Sequence, residues 1–505
     1  MSDLTTWDGA RAILERRRAE IAPRCARLWG YYSNEDPTPT PFPSAAAIAA
    51  GPARRGYQER GLPRRITGAR GGPRREVVVE NDIAWRLQTM VDFLFGGPIR
   101  VLSTAGDPAA RADAERLLDA VWEASGGIAL LQDAALLGHV HGWVDFVVRV
   151  DEVALLQMAD RRGAEGRGEG TDEERTRRVA SAIRIEVVEP TRGAPVMSAR
   201  DYRVLDGYVL ELGSAEASGR QDSETPGWRE RAVGWARRSQ QASRAPASPA
   251  PSAVLEALTP GVRTLFSAGR VIAREESRLL PGVLPVVHVQ NLSVPFAYAG
   301  QSEVEPLIGL QDELNTRLSD RAHRVAMQSF RMYLARGLEG FGELPVAPGQ
   351  VWSTDNPNAS IESFGGDASS PSEERHVTEL REAMDKLSGV PPLAGGVVQG
   401  RIGNLSSGTA LRVTLMALLG KTARKRVTYG AGIERVSRIV LDALAAAGLL
   451  PLRESDRGVR VRWPEVLAVD EEERIRVARG KLEVGVPPDV VLAELGYGHA
   501  DAGVA

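Results

Sequence analysis

Hydrophobic and polar positions follow two different periods along this chain. Between residues 77 and 300, short apolar runs bounded by turn residues read as strands: "WVDFVVRVD", "IRIEVVEP", "DYRVLDGYVLEL" and a buried one at "LPVVHVQN". "RTLFSAGRVIAREESRL" predicts a further hairpin. Helices alternate with these strands. After a strand at "VVVE", "NDIAWRLQTMVDFLF" puts Ile83, Leu87, Met90, Val91 and Leu94 on one face, and Gly96-Gly97-Pro98 stops it. "PIRVLS" reads as a short strand. "DPAARADAERLLDAVWEASGG" predicts a helix capped by Asp107 with Pro108 at its first position. "IALLQDAALLGHVHG" is helical at its start, and His139 and His141 fall toward the following strand.

Beyond Asn291 the helical period takes over. Residues 302–335 predict one long helix with Ser302 as its N-cap and a narrow apolar stripe of Leu307, Leu310, Leu314, Leu318, Val325 and Ala326. About 34 residues at ~1.5 Å each make a rod of roughly 50 Å, suited to packing between neighbours. A turn-rich stretch with short strands follows. A helix then resumes at "PSEERHVTELREAMDKLSG", with Gly389 as its stop. The Gly-rich "VPPLAGGVVQGRIGNLSS" precedes a last long helix from about Ser407 to Ala447, with Gly430 and Gly432 as kink points. The tail predicts a strand at "GVRVRWPEV" and two short helices.

Three segments stand apart. The first helix, "WDGARAILERRRAEIAPRCARLWGYY", is so charged that it reads as peripheral, and a Pro/Gly/Arg-rich loop follows it to about Arg75. Residues 160–178 are nearly all charge and glycine, which reads as an exposed loop, and residues 213–252 read as a mobile loop or a linker.

Composition narrows the classes. The 505 residues carry a formal charge of −3, which does not advertise a nucleic-acid binder. A single cysteine, Cys25, excludes an internal disulfide framework and fits a reducing compartment. The start lacks an apolar signal core, and no apolar run of eighteen occurs, so the expectation is a soluble, unexported protein without membrane contact.

The candidate chemistries are weak. Gly420-Lys421-Thr422 ends like a phosphate loop, but the first glycine is replaced by Leu415 and the context is helical. His139, His141 and Asp145 lack a further clear metal ligand. Asp470, Glu471, Glu472 and Glu473 point in different directions on a helix and read as a solvated helix start. No Gly-x-Ser-x-Gly elbow occurs, and Cys25 has no nominated histidine. The expectation is no catalytic site, no metal and no cofactor. The basic run Lys421, Arg424, Lys425 and Arg426 reads as a solvated or ion-paired face, or else as a contact with phosphate or a neighbouring subunit.

The order of elements carries more than any motif. "NDIAWRLQTMVDFLFGGPIRV", "LPVVHVQN…AGQSEVEPLIGLQDELNTRLSD", "SGVPPLAGG" and "NLSSGTALRVTLMALLGKTARKR" together resemble the portal protein of tailed bacteriophages, across roughly residues 77–450. The resemblance implies an α+β ring subunit at the capsid vertex. Its parts would be an N-terminal helix and loop (1–76), a β-rich wing (77–300), a first stem helix (301–335) and a small clip module (336–371). A second stem helix (372–388), a tunnel loop (389–405), a kinked wing helix (406–448) and a crown-like tail (449–505) would follow.

It also implies a function: a ring of twelve copies through which double-stranded DNA is packaged and ejected. The ring would dock the terminase motor, major capsid and scaffolding proteins, and head-completion or adaptor proteins. The protein would be assembled in the host cytoplasm and reside in the virion. Val397, Val398, Gln399, Arg401 and Asn404 would face the channel, with Arg401 the phosphate contact. The rival reading is another virion connector, adaptor or capsid-associated protein without a DNA channel.

Overall fold

The computed structural model describes residues 4–35, 56–67, 76–164, 171–212, 254–329, 332–336, 356–364, 370–395, 408–466 and 471–495. Two compact units result, one of residues 1–29, 85–304 and 388–505, the other of residues 30–84 and 305–387. Helices and antiparallel sheets are mixed throughout.

In the first unit a five-stranded sheet runs in the order β4 (Gly193–Met197), β5 (Leu205–Leu212), β6 (Val254–Thr259), β7 (Val262–Ser267) and β8 (Arg270–Glu276). Strand alternation sends β5 side chains to two cores. Val209 joins Leu255, Ala257 and Phe266, and Ala10, Ile13 and Leu14 of α1 (Trp7–Ser33) close that side. The first helix is therefore core rather than peripheral, each large apolar side chain so buried contributing roughly 1.5–3 kcal/mol. Tyr208 and Leu210 point the other way, to Val147, Val188 and Val286 of a second sheet. That sheet has β2 (Trp143–Val150) between β3 (Ile183–Val188) and β9 (Val286–Gln290).

The charged stretch read as a loop is mostly helix: α2 (Glu152–Ala164) and α3 (Asp172–Ser181) flank residues 165–170, which lie outside the described set. Thr171 caps α3 by accepting from the Glu174 N–H, and three acids in its first turn suit the helix dipole. The linker at 213–252 also lies outside the described residues.

A short α4 (Gly408–Thr414) leads into α5 (Met416–Ala446). The predicted helix is thus interrupted at Leu415, while helix runs through Gly430 and Gly432. The reason for Gly432 is close approach: a Cβ there would lie 2.3 Å from Val289 on β9. Trp122 donates to the Ser437 hydroxyl at 3.0 Å and ties Pro108–Ala124 to α5. Residues 100–103 pair with 459–462, and α6 (Glu471–Glu483) and α7 (Pro488–Leu495) close the chain.

The second unit centres on α8 (Ile308–Ser329), preceded by a 3-10 turn at Glu305–Leu307. The predicted helix stops early. Met332–Arg336 is a strand paired antiparallel with Ser360–Phe364, because cross-strand pairing overrides the helical propensity of "MYLA". A helix, Pro371–Ser388, returns as expected. Gln311, Asn315 and Ser319 form a buried polar face on α8. Asn315 accepts from the Glu80 N–H at 3.0 Å and donates to Gln58 at 2.9 Å; Ser319 accepts from the Val78 N–H at 3.0 Å. The "VVVE" segment bonds to helix side chains and forms no strand. Ion pairs Arg321–Glu374, Arg324–Glu373 and Arg381–Glu80 add to the unit's polar contacts. Leu318, Ala322, Val325 and Ala326 line an open groove of about 530 Å³ with Glu76, Val78 and Arg321.

Candidate functional site

The channel residues expected from the sequence, Val397, Val398, Gln399, Arg401 and Asn404, lie outside the described residues. What the structure defines is the chain that enters this segment and the hub that grips it. Arg86, buried, donates to the Val390 carbonyl at 2.9 Å and stacks its guanidinium over Trp85 at 4.6 Å. Lys421 donates to the Ser388 carbonyl at 2.6 Å. Two cations on two different helices therefore hold the main chain on either side of Gly389, which has a left-handed φ of +72°.

Glu303 is the counter-ion of this hub. Its carboxylate accepts from Lys421 at 2.9 Å and lies 2.8 Å from the Lys425 ammonium, and its own N–H donates to the His139 carbonyl at 2.8 Å. Lys421 and Lys425 stand one helical turn apart, so both reach the same acid. Burial pushes the Glu303 carboxyl up, but Lys425 and Lys421 outweigh it and bring it down to about 2. Burial lowers the Lys425 ammonium to about 8, against the opposing pull of Glu303. The hub is an ion cluster that holds backbone in place.

The basic run is thereby divided. Lys425 is buried and Lys421 nearly so, both engaged with Glu303. Arg426 donates to the Pro464 carbonyl at 2.8 Å and lies over Trp463 at 5.1 Å. Arg424 is exposed, and phosphate or subunit contact stays an expectation for it. Gly420-Lys421-Thr422 lies within α5, with Thr422 and Leu415 buried, so no phosphate cradle forms.

His139 and His141 end a helix, Gly127–His141, rather than lying on a strand. His139 Nδ1 bonds to the Ala135 carbonyl, leaving Nε2 as a lone-pair acceptor of a neutral ring. Burial, reinforced by Lys425 at His139 and Arg24 at His141, lowers both imidazoles to about 3. Asp145 is occupied elsewhere: it accepts from Tyr298 and His288 at 2.7 Å each and from Tyr208 at 2.9 Å. The three weighed as a weak metal candidate therefore form no site, and among the described residues no group of three His, Cys, Asp or Glu is placed to hold a metal. Of the acidic run, Glu471–Glu473 open α6 and Asp470 lies outside the described residues. Cys25 is buried and its thiol pushed up to about 12 by burial, which leaves no thiolate nucleophile. No described helix is long and apolar enough to cross a membrane.

The hub was not visible in the sequence. Glu303 reads as one acid among many before a helix, and no spacing links it to lysines more than a hundred residues later. The only signal is the four-residue interval of Lys421 and Lys425 on the helix side that also carries Thr422 and Leu418.

Residues 267–495 match the family described as phage portal protein, SPP1 Gp6-like. No curated protein matches. Solved structures match at low identity. A chain of "Virion of native gene transfer agent (GTA) particle" is 13% identical with TM-score 0.42, over 89% of this chain and 97% of that one. A chain of "Neck of empty GTA particle computed with C6 symmetry" is 13% identical with TM-score 0.43, over 90% and 98%. One of "Neck of native GTA particle computed with C12 symmetry" is 13% identical with TM-score 0.42, over 82% and 89%. The family match begins later than the resemblance read from the sequence and extends further, into α7.

Proposed function

We propose, from the phage portal family match over residues 267–495, that this chain is the subunit of a portal ring: twelve copies around a channel for double-stranded DNA. The match is the observation that carries the reading. Its span includes a helix, a paired strand module and a returning helix, residues 308–388, as a stem–clip–stem arrangement requires. The open apolar groove at Leu318, Ala322 and Val325 fits a stem face that is covered in a ring. In this reading residues 336–371 are the clip that meets the motor and the head-completion proteins, and the ring resides in the virion. The chain acts as conduit and docking hub, with no reaction of its own.

A conduit must hold a polyanion without gripping it, because each neutralised phosphate adds affinity and slows sliding. One arginine among uncharged neighbours at 397–404 suits that demand. Changing Arg401 to Glu is expected to lower the fraction of DNA-filled particles severalfold while rings assemble normally. Gel quantification of encapsidated DNA measures this, with electron microscopy of the purified rings as control. Wild-type DNA content in the variant would remove Arg401 from the channel.

A further inference from the structure

The ribbon of Arg100–Ser103 and Val459–Arg462 has two unlike faces. Val101, Ser103 and Val459 turn inward and are buried. Strand alternation sends Arg100, Leu102, Arg460 and Arg462 to the other face, where the three arginines are exposed and Leu102 is half-buried. The antiparallel register sets Arg100 directly opposite Arg462, and Leu102 opposite Arg460. Like charges directly opposite on a strand pair are destabilising. Arg460 adds a third positive group ~7 Å along the strand from Arg462.

Among the described residues none of the three guanidinium groups makes an ion pair or a hydrogen bond. Asp119, whose carboxyl burial raises, feels Arg100 but is not paired with it. Two other acids reach the ribbon, and both bond its main chain instead. Glu115 accepts from the Ser103 N–H at 3.0 Å, and Glu434 on α5 accepts from the Val461 N–H at 3.1 Å. Those bonds fix the ribbon, so the arginines stay together despite their repulsion. A polyanion lying across the face would relieve it. A guanidinium fork bonds two phosphate oxygens at once, and duplex DNA carries a phosphate charge every ~1.7 Å along its axis, dense enough to meet all three. The face has no aromatic side chain on which an unpaired base could stack, which favours a duplex over a single strand.

We propose that the Arg100–Arg460–Arg462 face binds the phosphate backbone of double-stranded DNA from the side, without threading. The choice of DNA among polyanions rests on the portal reading; the geometry of the ribbon does not. The probe is a covalently closed plasmid, which no preformed ring can thread, titrated with the purified 505-residue chain in filter binding at about 50 to 200 mM salt. Three phosphate contacts account for a ~40-fold fall in affinity across that range. Arg100→Gln, Arg460→Gln and Arg462→Gln together should remove this dependence. That variant should melt no lower than the wild type, since the opposed charges are gone. Arg200→Gln, Arg270→Gln and Arg274→Gln together, at exposed positions of the same unit, should leave binding as in the wild type. No plasmid binding by the wild type, an unchanged salt dependence in the ribbon variant, or equal weakening in both variants would overturn the proposal. A lower melt of the ribbon variant would overturn it by showing the arginines paired within the chain. Loss of the oligomer with plasmid binding unchanged would overturn it in favour of an acidic surface of a second copy. Arginine-dependent binding by a protein that forms no ring would leave the ribbon site standing and remove the ring.

Discussion

Replacing Glu303 by leucine is expected to destabilise the first unit by about 3–5 kcal/mol, because it strands two buried ammonium groups without a counter-charge. Lys425 has no route to solvent, and Lys421 keeps only the Ser388 carbonyl. Thermal unfolding of the purified chain reads the loss as a fall in midpoint. The triple variant Glu303→Leu, Lys421→Met, Lys425→Met should recover most of it, since replacing a whole buried ion cluster by apolar groups is often neutral. A single variant as stable as the wild type would contradict the hub.

The pH dependence separates this contribution from others. The Glu303 carboxyl is lowered from 4.5 to about 2 in the fold, so its contribution is complete above about 4.5 and lost as pH falls through about 2. The gap between wild type and Glu303→Leu should therefore narrow across that window. His139 and His141, lowered from 6.5 to about 3, erode stability as pH falls from 6.5 toward 3, and do so in both proteins.

Asn315→Leu is expected to be the costliest single change in the second unit. The side chain is fully buried, and leucine keeps its heavy-atom count and branching while removing both polar atoms, so the effect is chiefly loss of hydrogen bonds. The Glu80 N–H and the Gln58 Oε1 each lose their Asn315 partner, at about 1–3 kcal/mol apiece. Gln311 keeps its bond to the Glu80 carbonyl at 2.6 Å. Amide exchange should show protection lost along residues 308–329 and 76–82, with the five-stranded sheet of the first unit unchanged. Retained protection in α8 would mean that the polar face does not hold the segment.

Much of the architecture was legible because local and global signals agree. Asp107 and Pro108 mark a helix start, and the structure begins that helix at Pro108 with the Asp107 carboxylate accepting from Ala110 at 2.9 Å. The hairpin at Val262–Glu276 and the returning helix at Pro371–Ser388 follow their periods. The misses share a cause: partners distant in sequence. Gln311, Asn315 and Ser319 look like a solvated face until Gln58 and Val78 are placed against them. The charges of α1 hide Ile13 and Leu14, whose partners are strands two hundred residues away. At 332–336 a helical propensity was overruled by strand pairing. The helix at Asp172–Ser181 is a different case, since its Thr171 cap and acidic first turn were present and were outweighed by the surrounding charge and glycine.

The ring is the premise on which the channel and the groove both depend. Class averages of the purified 505-residue chain by electron microscopy test it directly. Closed rings of about twelve copies with a central opening are the predicted result. A monomer or dimer that persists at high concentration would contradict the account, and the groove at Leu318 and Val325 would then need another partner.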